Sequence, residues 1–156
     1  MREVPKGFHV HPNGGGLVED TAYVEASVFV GEDARVFGSA RVFGDAQVFG
    51  DAWVFGSAQV FGDARVSGDA QVSGDAQVSG DARVFGDAWE QSPLYIQGTR
   101  HPITNSKYGE LTIGCHAHPF KYWLKHYKAI GKANGYTKEQ IKEYGVLIAA
   151  AVKVGR

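Results

Sequence analysis

A single cysteine, Cys115, stands in this chain of 156 residues, so no internal disulfide can form and a reducing compartment is compatible. No apolar run approaches the ~18 residues that a transmembrane helix requires. The opening Met1-Arg2-Glu3-Val4-Pro5-Lys6-Gly7 lacks the apolar core of a signal peptide. Together these absences predict a soluble, cytoplasmic protein with no membrane partner. A dominant charge sign is also missing. With 16 basic and 17 acidic residues the formal net charge is -1, so no global field marks a binder of long nucleic acid, although a local basic face stays open. Histidine is absent between His11 and His101.

Glycine is plentiful, with 21 residues, and most of them fall at one position of a repeat. Valine recurs every six residues from Val18 through Val84, and alanine follows four residues after most of these valines, from Ala22 to Ala88. From Val36 on, glycine sits two residues after each valine, which makes the unit Val-x-Gly-x-Ala-x. A period of six does not fit a 3.6-residue helix. Alternation within Ala-x-Val-x fits a short strand with Ala and Val on one face. Gly-Asp or Gly-Ser then turns a corner. Three such sides close a triangular coil, and the 12 valines give about four coils with a Val and Ala interior. At roughly 4.8 Å per coil the stack is about 19 Å tall.

Outward positions then fall into three columns. One carries Arg35 with Phe37, Trp53 with Phe55, Gln71 with Ser73, and Trp89; a second carries Tyr23, Arg41, Phe43, Gln59, Phe61 and Gln77; a third carries Phe29, Gln47, Phe49, Arg65, Arg83 and Phe85. So many outward aromatics imply a covering surface, which we read as a homotrimer interface plus packing of the C-terminal segment. Arginine beside aromatics, as at Arg35, Trp53 and Trp89, also suits a ligand platform that stacks a ring and holds a phosphate. The corner acids, such as Asp45, Asp51 and Asp63, are read as turn residues rather than Ca²⁺ ligands.

The repeat ends at Trp89, and Pro93 marks a boundary. The organisation predicted is a cap over 1–17, a solenoid over 18–92, short strands and turns over 93–118, and a helical hairpin over 119–156. Leu94-Tyr95-Ile96-Gln97 and Leu111-Thr112-Ile113 read as strands, with turns between them at Gly98, Pro102 and Asn105-Ser106. After Pro119, residues Phe120, Trp123, Leu124, Tyr127 and Ile130 fall at helical spacing up to Asn134-Gly135. Thr137 with Gln140 is a capping box for a second helix through Ile141, Tyr144, Ile148 and Val152. Such a hairpin cannot bury its apolar faces alone, so packing on the prism, the strands or a neighbouring subunit is expected.

Candidate chemistry gathers at His101, Cys115, His116 and His118. Three of these, His101, Cys115 and His118, are of types that bind Zn²⁺, which makes a metal-dependent hydrolase or lyase one alternative. A Cys-x-x-Cys pair and a nearby general base are both missing. A small polar ligand pocket and ordinary packing are the other readings, and Cys115 as a nucleophile beside a histidine is a further one. Arg100 and His101, in a turn-rich stretch, are the phosphate-facing candidates, with Thr104 beside them. His9 and His11 have no third ligand and are assigned to the cap. Beyond zinc, no cofactor is expected.

The repeated Val-x-Gly-x-Ala-x resembles that of the left-handed parallel β-helix proteins, which include hexapeptide acyltransferases and gamma-class carbonic anhydrases. Left-handedness is implied by that resemblance; a right-handed or flattened roll is the alternative. Both enzyme groups use histidines associated with the coils, and the gap from His11 to His101 removes them. The chain is also similar to small phage and prophage hexapeptide-repeat proteins described as polymer-forming. The similarity lies in Gly-Asp-Ala-x-Val, in Leu94-Tyr95-Ile96-Gln97-Gly98-Thr99-Arg100-His101, in Ile113-Gly114-Cys115-His116-Ala117-His118, and in a closing helix from Gly135-Tyr136-Thr137 to Val152. It implies residence in the host cytoplasm and a counter-defence role. Under that reading the protein is a non-catalytic homotrimer that sequesters a small anionic or nucleotide-like immune signal. A structural or host-protein-binding assembly protein is the other alternative.

Overall fold

The structure, a computed structural model, describes residues 3–155; the outermost positions of the expected cap and hairpin, Met1, Arg2 and Arg156, lie outside the described residues. The chain divides into two compact units, Met1–Ser92 and Pro93–Arg156.

The first unit is a parallel β-solenoid of about four coils. Its strands are two or three residues long and stack into three sheets, one per side. Partners lie 18 residues apart: Val36 beside Val54, Val42 beside Val60, Val48 beside Val66. Side chains alternate as the repeat predicts. Val30 through Val78 and Ala34 through Ala76 are fully buried or nearly so, while Arg35, Arg41, Arg65 and Arg83 face solvent. Each strand is too short to be stable alone, and what holds it is the stacked valine column, at about 1.5–3 kcal/mol per buried side chain.

Glycine at the corners answers two demands at once. From Gly38 to Gly86 the corner glycines have φ between 60° and 74°. A Cβ on Gly62 would also lie 3.1 Å from the backbone nitrogen of Gly80 in the next coil. Asparagine or aspartate could meet the first demand, but only glycine meets both. In the first coil the phenylalanine positions hold Glu19 and Glu25 instead. Their carboxylates accept hydrogen bonds from the N–H of Gly38 and of Gly44 (2.6 and 2.8 Å). In later coils the phenylalanines stack coil on coil, Phe37 on Phe55 and Phe43 on Phe61 with centroids 4.8 and 5.0 Å apart. That stacking leaves them half-buried, so part of the outward aromatic surface is covered by the solenoid itself.

Trp89 departs from expectation. It was assigned to an outward column and to the ligand platform, and it is 1% exposed. The last corner is one residue short: Gln71 pairs with Ala88, so Trp89 falls beside Val72 and takes the inward position. A one-residue slip exchanges the two faces of a strand. Here Ala88 becomes exposed and Trp89 fills the interior. Asp87, with φ 57°, absorbs the shortened turn and is the one non-glycine residue with positive φ among the described residues. At the opposite end, Phe8–Val10 pairs antiparallel with Leu17–Glu19. His11 is buried there, and its imidazole Nε2 donates to the Val28 carbonyl (2.9 Å).

The second unit is a four-stranded antiparallel sheet, in chain order Tyr95–Gln97, Pro102–Lys107, Glu110–Ile113 and His116–Pro119, with two helices. The stretch read as turn-interrupted contains the longest of these strands. Asn105 and Ser106 are buried in it because their side chains are satisfied there: the Asn105 amide donates to the carbonyls of Lys107 and Glu110, and the Ser106 hydroxyl pairs with that of Thr112 (2.6 Å). Helix α1 (Phe120–Ala133) and helix α2 (Lys138–Val154) close the core with Ile103, Leu111, Ile113, Trp123, Tyr144 and Ile148. The Thr137–Gln140 capping box is present. Leu124, counted on the apolar face, is 47% exposed instead, since it lies at the margin of the stripe that Trp123 and Ile130 define.

Candidate functional site

Three turns of the second unit converge: Gly98–His101 between the first two strands, Gly114–Cys115 between the last two, and Asn134–Tyr136 between the helices. Tyr144 on α2 anchors the first turn. Its hydroxyl accepts from the N–H groups of Arg100 and His101 (3.1 and 2.6 Å) and donates to the His101 carbonyl (2.6 Å). Gly98 is required beneath it, since a Cβ there would lie 2.4 Å from that hydroxyl oxygen. Glu143, one residue earlier on the helix, accepts from the N–H and the hydroxyl of Thr99 (2.9 and 2.5 Å). Arg100 and His101 are thereby held by the backbone on both sides.

Tyr136 joins the turns. Its hydroxyl lies 2.6 Å from Nδ1 of His101. Burial pushes the Tyr136 phenol above its usual range and Tyr144 adds to the rise, while the Arg100 guanidinium pulls the other way. The Arg100 guanidinium stands 4.7 Å from the centre of the Tyr136 ring, and its Nη1 donates to the Gly135 carbonyl (2.9 Å). That bond occupies one of five N–H donors. Cys115 is exposed on the neighbouring turn.

From this cluster a row of rings runs along the last strand and onto α1. His116 is held by Asn134 (3.3 Å). His116 and His118, two apart on one strand, share a face, with centroids 6.1 Å apart. His118 lies 4.3 Å from Tyr122, and Tyr122 lies 4.3 Å from His126, one helical turn on. Tyr122 is exposed.

The residues predicted from sequence therefore divide. Arg100, His101, Cys115, His116 and His118 occupy this surface of the second unit. Thr104 does not: it is 3% exposed inside the sheet. Trp89 is interior, as described. Arg35 and Trp53 belong to the solenoid, where the guanidinium lies 5.6 Å from the ring centre. His101, Cys115 and His118 do not assemble as ligands; among the described residues no three His, Cys, Asp or Glu side chains are arranged to hold a metal ion.

Sequence reasoning missed Tyr122, His126 and Tyr136, along with a signal that points to them. The near-zero net charge conceals a division. Residues 1–92 hold 6 basic and 14 acidic side chains, a balance of -8, whereas residues 93–156 hold 10 and 3, a balance of +7. Counting charge by unit rather than by chain exposes a strongly basic second unit.

Comparison with known proteins adds to the first unit only. A family described as the YdcK beta solenoid repeat matches residues 58–74 and 76–91, the last coils of the solenoid. No curated protein and no solved structure matches the chain.

Proposed function

We propose that this is a non-catalytic binding protein that captures an anionic, nucleotide-like ligand on the second unit. The row of rings carries this reading: His116, His118, Tyr122 and His126 lie ring against ring on the surface, with Tyr122 exposed and the three histidines partly so, in a unit of net charge +7 that also carries the exposed guanidinium of Arg100. Bases stack on such rings, and phosphates meet arginine and the surrounding positive potential. The imidazole, phenol and hydroxyl groups at the three turns are engaged in holding those turns together, which suits recognition better than turnover.

In the same proposal the solenoid acts as the assembly module of a homotrimer. The exposed Tyr23, Phe29 and Trp53 on its sides support this. A phage-type sponge that sequesters an immune signal is the biological setting this chemistry would serve, since capture needs a stable platform and no catalytic set.

The test is titration of the purified protein with a fluorescent adenosine monophosphate analogue, followed by chromatography of the released ligand. Binding is expected, weakened about 10-fold in Arg100→Ala, with the nucleotide recovered intact. Absence of binding at millimolar nucleotide, or recovery of a transformed product, contradicts the proposal.

A further inference from the structure

Helix α1 carries Lys121, Lys125, Lys128 and Lys132 and no acidic residue. Their spacing of four, three and four residues places all of them within about 60° of arc at 3.6 residues per turn. All four are exposed. Each neighbouring pair is a like-charge contact at i,i+3 or i,i+4, which destabilises a helix by about 0.2–0.5 kcal/mol. Nothing on the helix relieves it: the N-cap is Pro119, without a side-chain cap, and the first turn holds no acid. Tyr122 and His126 run parallel to this stripe, roughly a quarter to a third of the way around the helix. The opposite face is occupied by the core, through Trp123 with Phe120, Tyr127 and Ile130 packed beside it.

We infer that α1 is a track for single-stranded nucleic acid, with the lysine stripe following the phosphates and the rings of Tyr122, His118 and His126 taking unstacked bases. The inference rests on the reading of this surface as a nucleotide site and makes the ligand a polymer. Length favours a polymer: Lys121 to Lys132 spans about 16 Å at 1.5 Å per residue. That distance exceeds the reach of one nucleotide's phosphate, so the four lysines together match successive phosphates of one strand. The rings favour a single strand over a duplex, because a paired base has no free face to offer. A membrane surface fits less well. A helix lying in a bilayer interface needs an apolar face to insert, and the large apolar side chains of α1 are packed in the core, apart from Leu124.

The experiment measures fluorescence anisotropy of labelled oligothymidylates of three to twelve nucleotides on the full chain. The same protein is titrated with the adenosine monophosphate analogue, with a twelve-base-pair duplex and with vesicles containing phosphatidylserine. Expected are affinity that rises with strand length and a plot of log K against log salt falling with a slope of about -2 to -3, from ~0.7 per phosphate neutralised. Replacing all four lysines by glutamine should abolish the length dependence and most of that slope, while weakening mononucleotide binding only by the lowered potential of the unit, far less than it weakens the twelve-nucleotide strand. The helix should be retained or strengthened, because the replacement removes like-charge pairs. Tyr122→Ala should weaken the twelve-nucleotide strand by about 5- to 100-fold. Equal affinity for the mononucleotide and the longest strand overturns the polymer inference and leaves the nucleotide site standing. Binding of vesicles or duplex in preference to the single strand overturns it as well. Failure of both mononucleotide and strand to bind removes the underlying site reading with it.

Discussion

The two units of this chain reach stability by opposite routes. The solenoid repeats one small solution many times, a buried valine and a buried alanine on most sides, with the single Trp89 filling its last coil. The second unit relies on large residues that occur once. Trp123, 2% exposed, donates through Nε1 to the Leu111 carbonyl (2.7 Å), and the Tyr144 hydroxyl ties down a turn, so each joins elements far apart in sequence. Charge follows the same division, -8 against +7. A repetitive, acidic unit suits a scaffold, and a compact basic unit whose turns converge suits a site.

The sharpest way to break the comparison is Trp123→Ala. It removes a core aromatic and leaves the Leu111 carbonyl without its partner, so a loss of about 3–5 kcal/mol is expected in the second unit. Denaturant unfolding followed by helical circular dichroism reads it, since both helices lie in that unit. A loss under about 1 kcal/mol would show that the second unit's core is as distributed as the solenoid's.

A smaller effect tests the solenoid. Gly62→Ala puts a Cβ at φ 70° and within 3.1 Å of the next coil's backbone. About 2 kcal/mol of destabilisation is expected from the left-handed conformation and the displaced neighbour together. The same substitution at Gly109, also at positive φ but with open space around it, should cost less, because only the conformational part applies. Equal losses at the two positions, measured by thermal unfolding, would show that coil-to-coil contact plays no part in selecting glycine.

The smallest effect is acid-dependent fraying of the N-terminal cap. Burial lowers the His11 pKa below 6.5, His9 lowers it further, and the hydrogen bond to Val28 partly restores it. The unfolded chain therefore binds this proton more readily than the fold does. The stability contributed by the neutral ring is complete above pH 6.5 and is lost as pH falls from there toward the folded value. Amide exchange near His11 and Val28 should accelerate over that window, and His11→Asn should flatten the dependence.

Legibility in the sequence followed the same division. A period of six carries its own structural meaning, so Val48, Val66, the corner glycines and the three outward columns were readable from spacing alone. The slip at Asp87 was not, because a deleted corner residue leaves Ala88 and Trp89 looking like one more repeat. In the second unit the capping box at Thr137 and Gln140 was legible because its two hydrogen bonds are local. The Pro102–Lys107 strand was hidden because Asn105 and Ser106 are turn formers until partners such as Glu110 and Thr112 satisfy them. For the candidate site, Arg100, His101, Cys115 and His118 were found by residue type. Tyr136 comes from 35 residues beyond His101, a contact that only the fold creates. The ring row joins a strand to a helix, and no single periodicity describes it.

Segment-resolved hydrogen–deuterium exchange, with and without a saturating twelve-nucleotide oligothymidylate, tests the division of labour most directly. Protection is expected on residues 113–135, across the His116–Pro119 strand and α1, with the solenoid over residues 18–92 unchanged. Protection centred on the solenoid faces at Arg35, Trp53 and Arg65, or on neither unit, would contradict the assignment of scaffold to one unit and binding to the other.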